Sequence, residues 1–288
     1  MSNRRIFIQQ SALIGAGILA NPVDLFSKPK KRIGLQLYTL RNEISKDVRS
    51  VISKVADIGF REVETYGYSL KGGFWGLSVK EFRDLLRSHG LKSPSGHYDF
   101  EPYLRDGNMD SLNANIAAAK GLGQKYLTVP YVSEPLRKNL ESYKALAAKL
   151  SQAGVMAKKA GLQLVYHNHD FEFINFNGTT GYDILLSETD PMDLKFEMDI
   201  YWVVRAGKDP VTLFQQNPGR YVMWHVKDMD KITKTFTEVG SGSIDYQNLF
   251  TKDKLSGMKH YFIEQDAIKI DPYESITRSF QHLKSNIL

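Results

Sequence analysis

Leu164–Asp170 reads LVYHNHD, an apolar, β-branched run that passes directly into two histidines one residue apart. A strand projects side chains i and i+2 to the same face, so His167 and His169 can converge on one point while Asn168 turns away. That geometry suits a ligand pair or an acid–base pair, and it equally suits a strand end that presents two polar residues to solvent. The remainder of the chain decides between the two, according to whether other strands end in the same way.

Outward from this stretch, short apolar runs alternate with longer amphipathic ones. Ile33–Leu40 reads as a first strand and Asp47–Gly59 as a helix, with Val48, Val51, Ile52, Val55 and Ile58 at helical spacing. Glu62–Tyr68 is a second strand, followed by a helix opening at Ser78, where Glu81 three residues on completes a capping box. Strands at Leu91–Phe100, Tyr126–Val132, Leu162–His169, Leu194–Trp202, Tyr221–Met229 and His260–Asp266 alternate with helices at Met109–Leu122, Arg137–Ala160, Gly181–Glu188, Pro210–Gln216, Tyr246–Leu255 and Pro272–Leu283. Eight strand–helix pairs in roughly 255 residues predict an α/β fold, a single-domain (β/α)8 TIM barrel. An open doubly wound sheet would place a Gly-rich phosphate turn after its first strand, and Thr39-Leu40-Arg41-Asn42 is not one. The irregular segments Asp99–Asn108, Phe171–Thr180 and Asp228–Ser243 all follow strands, where a barrel builds its active-site face.

The C-terminal ends of these strands carry a biased set of residues: His97 on the third, His167 and His169 on the fifth, Asp199 on the sixth, His225 on the seventh and Glu264 on the eighth. His89, His260 and His282 fall at a helix end, a strand start and a helix surface, which are structural positions. Imidazole and carboxylate donors together suit one divalent ion such as Mn²⁺, Zn²⁺, Co²⁺, Fe²⁺ or Mg²⁺, and a chain without cysteine has no thiolate for a structural zinc site.

Residues 1–31 stand apart as a leader and short linker, with the barrel domain spanning 32–288. Arg4-Arg5 followed by the short apolar run Ser11–Ala20 matches a twin-arginine signal, and the run is too short to span a bilayer. Export to the periplasm or beyond, with no stable membrane insertion once the leader is removed, is the expectation. The absence of cysteine suits an oxidising compartment. The net charge of +6 owes most to this segment; without it 33 basic residues face 31 acidic ones, which gives no footprint for nucleic acid.

The motifs MDIYW around Asp199, HVKD at His225–Asp228, VGSGSIDY at Val239–Tyr246 and FIEQD at Phe262–Asp266 resemble the xylose-isomerase-like TIM barrels, the family of sugar-phosphate isomerases and epimerases, tagatose 3-epimerase, inosose dehydratase and the AP endonucleases. The resemblance implies one metal held by residues of the fifth to eighth strands, here His167, Asp199, His225 and Glu264. At the fifth strand epimerases carry a Glu before an Asn. This chain has His167 before Asn168, which is closer to the inosose dehydratases and removes one of the two acid–base residues of epimerases. Trp202 stands where many relatives, AP endonucleases among them, place a histidine, which argues against DNA repair.

The implied activity is that of a metal-dependent sugar isomerase or epimerase that abstracts a proton next to the carbonyl of a keto-sugar. A lyase or dehydratase that eliminates a β-oxygen substituent from a keto-sugar or 3-keto-glycoside is the alternative; a non-catalytic exported sugar-binding barrel is the third. Glu264 is the expected base and His169 the second proton-transfer group. His97, Lys227, Trp202 and Tyr38 are the expected substrate contacts, with Tyr66 and Trp224 as further aromatic wall. Lys227 has a competing assignment as a buried ion-pair partner of Glu62 or Glu64. The expected partner is a small-molecule sugar, free or glycosidic rather than phosphorylated because export separates the enzyme from sugar phosphates; a homo-oligomer is compatible with the sequence.

Overall fold

The computed structural model describes residues 32–288; the leader expected over residues 1–31 lies outside the described residues. Eight parallel strands close into a barrel: β1 (Gly34–Gln36), β2 (Glu62–Thr65), β3 (Lys92–His97), β4 (Tyr126–Val129), β5 (Gln163–His167), β6 (Leu194–Asp199), β7 (Tyr221–Val226) and β8 (His260–Ile263). Each pairs with its sequence neighbours, and β1 pairs with β8 to remove the sheet edges. The eight main helices are α1 (Val48–Ile58), α2 (Val79–Ser88), α3 (Met109–Leu122), α4 (Leu140–Lys159), α5 (Gly181–Ser187), α6 (Pro210–Gln216), α7 (Tyr246–Phe250) and α8 (Pro272–Asn286).

Local chemistry sets the helix starts. Asp47, Asn108 and Asn139 each accept a backbone N–H at an N-terminus, and Ser78 and Glu81 form the expected reciprocal box. The strands are buried on both faces, so their outward residues pack under the helices. Trp224 lies in this layer, fully buried and stacked on Phe214 at 5.1 Å with 3° between the rings. It is therefore core, and the expectation that it walls the cavity is corrected.

Several other boundaries differ from expectation: the sixth strand, expected to run to Trp202, ends at Asp199, whose side chain accepts the Trp202 N–H and starts a helix over Ile200–Arg205. The first strand stops at Gln36, because the Gln36 side chain accepts the Tyr38 N–H and turns the chain into a 3-10 helix over Leu37–Leu40. The expected helix over Tyr246–Leu255 divides into α7 and a short helix at Asp253–Ser256. The segment after β3 forms a helix at Glu101–Asp106, ended by Gly107 in the left-handed region.

Alternation along the strands divides the barrel interior into levels. Val165, Met223 and Phe262 belong to a separate apolar plug at the bottom. Gly34 is required there: a Cβ would lie 2.4 Å from the Phe262 ring. Two residues further along the strands the inward positions are polar and buried: Gln36, Glu64, Ser95, Thr128, His167, His225 and Glu264. The polar site thus rests on packed hydrocarbon.

Candidate active site

Strand register assembles the site. Asp199 lies opposite His225 across β6–β7, and Glu197 lies opposite His167 across β5–β6. The four expected ligands converge: one donor atom from each of His167, Asp199, His225 and Glu264 lies within 4.8 Å of the others, and all four residues are buried. His225 Nδ1 is 2.8 Å from Glu264 Oε2 and 4.0 Å from Asp199 Oδ2, while His167 Nε2 is 3.9 Å from Asp199 Oδ2. Asn168, which faces away from the histidines, locks the strand ends together by accepting the Asp199 N–H and donating to the Asp199 carbonyl.

Lys227 stands over this set. Its Nζ is 2.9 Å from Asp199, 2.7 Å from Glu264 and 2.7 Å from Asp266. The alternative pairing with Glu62 or Glu64 is corrected: Glu62 pairs with His260, and Glu64 with His97 and His225.

Two carboxylates that the motif reading did not select complete the interior. Glu64 Oε2 is 2.7 Å from His225 Nε2, and Glu197 Oε2 is 2.8 Å from His97 Nε2 and 3.2 Å from His167 Nδ1. The signal was present in EVET and KFEMD, where Glu64 and Glu197 fall at inward parity in strands buried along their length.

Electrostatics follow from burial against pairing. Burial raises Asp199 to about 6. For Glu264 burial acts in the same direction, but Lys227 and His225 override it and hold the carboxyl well below its usual range. Burial opposes charge on His97, yet Glu64 and Glu197 raise it to about 9; His225 and Lys227 are likewise raised by their carboxylates against burial. His169, desolvated and beside Lys227, is lowered to about 3 and is neutral at pH 7. Burial, reinforced by His225, keeps His167 neutral as well.

These residues fit a divalent cation. The buried carboxylates Glu64, Glu197, Asp199 and Glu264 outnumber the cationic groups His97, His225 and Lys227, and Asp266 adds a further negative charge. Asp199 Oδ2 is fully buried with no hydrogen-bond partner, its one close cation being Lys227 Nζ at 2.9 Å. Ligation by His225 requires a free lone pair on the ring, so metal uptake is coupled to proton release.

Above the polar set opens a cavity of about 710 Å³ lined by His97, His169, Lys227 and Glu264, with an aromatic wall that includes Tyr38, Tyr66, Tyr131 and Trp202. His169 stacks on Phe171 at 5.1 Å and leaves its buried Nδ1 unpartnered. The six cavity residues expected from sequence, His97, His169, Lys227, Glu264, Trp202 and Tyr38, therefore share one chamber. The HVKD aspartate does not reach it. Asp228 instead accepts the N–H groups of Gly240, Gly242 and Ile244 and ties down the loop beyond β7.

Residues 52–284 match the family described as xylose isomerase-like TIM barrel, and the chain belongs to that family. An inosose dehydratase of Lacticaseibacillus casei is 28% identical over 167 residues, 51% of this chain and 55% of its own length; the chain thus matches about half the length of such curated relatives. A sugar phosphate isomerase/epimerase of Parabacteroides distasonis superposes with a TM-score of 0.78 at 25% identity, covering 91% of this chain and 96% of that one. The IOLI protein with a binding zinc atom shares the fold, with a TM-score of 0.71 at 14% identity over 89% and 99% of the two chains.

Proposed function

We propose that this barrel is a divalent-metal-dependent enzyme that abstracts the proton next to the carbonyl of a keto-sugar and then expels a β-oxygen substituent, a lyase or dehydratase reaction. The observation that carries the reading is the composition of the ligand group: its fifth-strand member is the imidazole His167, so Glu264 is the one glutamate among the four, with Lys227 beside it. A metal ion held by His167, Asp199, His225 and Glu264 would supply Lewis acidity that polarises the substrate carbonyl. Glu264, kept ionised by Lys227 and His225, takes the proton. Lys227 and His97 are cationic hydrogen-bond donors for substrate oxygens, including the one that leaves. His169, neutral and with a free ring nitrogen, relays a proton at the aromatic side of the cavity. Tyr38, Tyr66 and Trp202 offer apolar faces to a sugar ring.

Resemblance to inosose dehydratases supports elimination. Resemblance to a solved isomerase/epimerase supports the second outcome of the same first step, return of the proton elsewhere. The cavity volume, well above that of one sugar ring, admits a glycosidic substrate, in keeping with an exported enzyme. The test is incubation of metal-loaded protein with keto-sugars and 3-keto-glycosides in D₂O. Loss of water or aglycone with new unsaturation is expected. Deuterium exchange without it assigns isomerisation or epimerisation, and no reaction with either class overturns the enzymatic reading.

A further inference from the structure

Two further buried carboxylates, Glu64 and Glu197, meet His225 and His167 on the side of the rings away from Asp199 and Glu264. His225 presents Nδ1 to Glu264 and Asp199 and Nε2 to the opposite side, 2.7 Å from Glu64 and 3.2 Å from Glu197. His167 repeats the pattern, with Nε2 toward Asp199 and Nδ1 3.2 Å from Glu197. Glu64 is itself fixed, accepting Gln36 Nε2 at 2.7 Å and Ser95 Oγ at 2.6 Å. His97 Nε2 bridges the two glutamates at 2.8 and 3.2 Å.

We propose that Glu64 and Glu197 form a carboxylate floor that fixes the tautomers and ring planes of His225 and His167, aiming one nitrogen of each at the metal. The inference rests on the metal-dependent reading above. An imidazole that ligates through one nitrogen must carry its proton on the other, and a carboxylate facing that second nitrogen selects this tautomer, orients the ring and strengthens it as a donor. In this fold the second nitrogens are Nε2 of His225 and Nδ1 of His167, and both meet carboxylate oxygen at hydrogen-bond distance. His97 acts with the floor as its counter-cation. The four groups His97, His167, Glu197 and His225 are also close enough to hold an ion of their own. Three imidazole nitrogens surrounding a single Glu197 oxygen at 2.8–3.2 Å is, however, hydrogen-bond spacing about an acceptor. Glu64 and Glu197 are positioning residues, since they act through the histidines.

The experiment measures Co²⁺ stoichiometry, affinity by chelator competition, and the visible Co²⁺ spectrum in the full chain and in Glu197→Gln, Glu64→Gln and Ser95→Ala, with circular dichroism to establish folding. One ion per wild-type chain is expected. Affinity falls roughly 10- to 100-fold in either Gln variant, with a changed spectrum, while Ser95→Ala, which removes one of the two hydrogen bonds that fix Glu64 and leaves its carboxylate in place, lowers affinity less than Glu64→Gln does. Glu64→Gln carries the test if Glu197→Gln does not fold. Unchanged affinity and spectrum in folded Gln variants overturn the floor alone. Two ions per chain, the second lost in Glu197→Gln, replace it with a second metal site. No ion in the wild type overturns both this inference and the metal-dependent reading.

Discussion

Glu264 shows how one side chain acquires its role from its neighbours. It follows the last residue of β8 at inward parity, and Lys227 and His225 keep it ionised in a site where burial alone would protonate it. Glu264→Gln is therefore expected to lower kcat at least 1,000-fold, on the order of 4 kcal/mol in the barrier, with an unchanged circular dichroism spectrum; retention of activity in that variant refutes its role as base. Glu172 shows the opposite balance. It is buried under the β5 loop, accepting Tyr166 Oη and the His169 N–H at 2.8 Å each, and desolvation raises it to about 7. Between the unfolded value of about 4.3 and about pH 7 the folded state keeps a proton that the unfolded chain has lost. Its contribution to stability is thus present below about pH 4 and is lost as pH rises to about 7, a decline of roughly 3 kcal/mol. Urea unfolding at pH 5 and pH 8 will show that decline in the wild type and a flatter profile in Glu172→Gln; equal profiles would contradict the assignment. Neither this glutamate nor the Glu64–Glu197 floor was selected from the sequence. Their chemistry depends on which residues the closed barrel brings beneath them, and linear spacing does not carry that.

At the scale of elements, legibility followed the strength of the local signal. The capping box at Ser78–Glu81, the helix at Met109–Leu122 and the helix at Pro210–Gln216 have the expected bounds, because caps and terminal glycines act within a few residues. The first strand was read too long because Leu37–Leu40 is as apolar as a strand, and the Gln36 amide that turns it is held in place by Glu64 of β2, a contact distant in sequence. The Asp228–Ser243 segment was legible as a loop but not as a clamped one. Asp228 Oδ2 accepts Gly240 and Gly242, and Oδ1 accepts Ile244. Asp228→Ala orphans these N–H groups and is expected to cost about 2–4 kcal/mol in urea unfolding. A loss below about 0.5 kcal/mol would show that the loop is held by other contacts.

For the molecule as a whole, eight repeating strand–helix units sufficed to read the architecture, and parity at the strand ends sufficed to read the upper level of the site. The lower level and the apolar plug emerge only when β1 meets β8 and inward residues from all strands face one another. Closure also explains how an interior can hold so many carboxylates: each meets an imidazole or ammonium group brought in by a different strand. The most direct test of the metal-dependent reading is elemental analysis of the full-length protein purified without chelator and equilibrated with excess Mn²⁺, Zn²⁺, Co²⁺ or Fe²⁺ before desalting. One equivalent of a single divalent metal per chain, reduced at least tenfold in Asp199→Asn, is the predicted result; a folded wild-type protein that retains no stoichiometric metal from any of the four would contradict it.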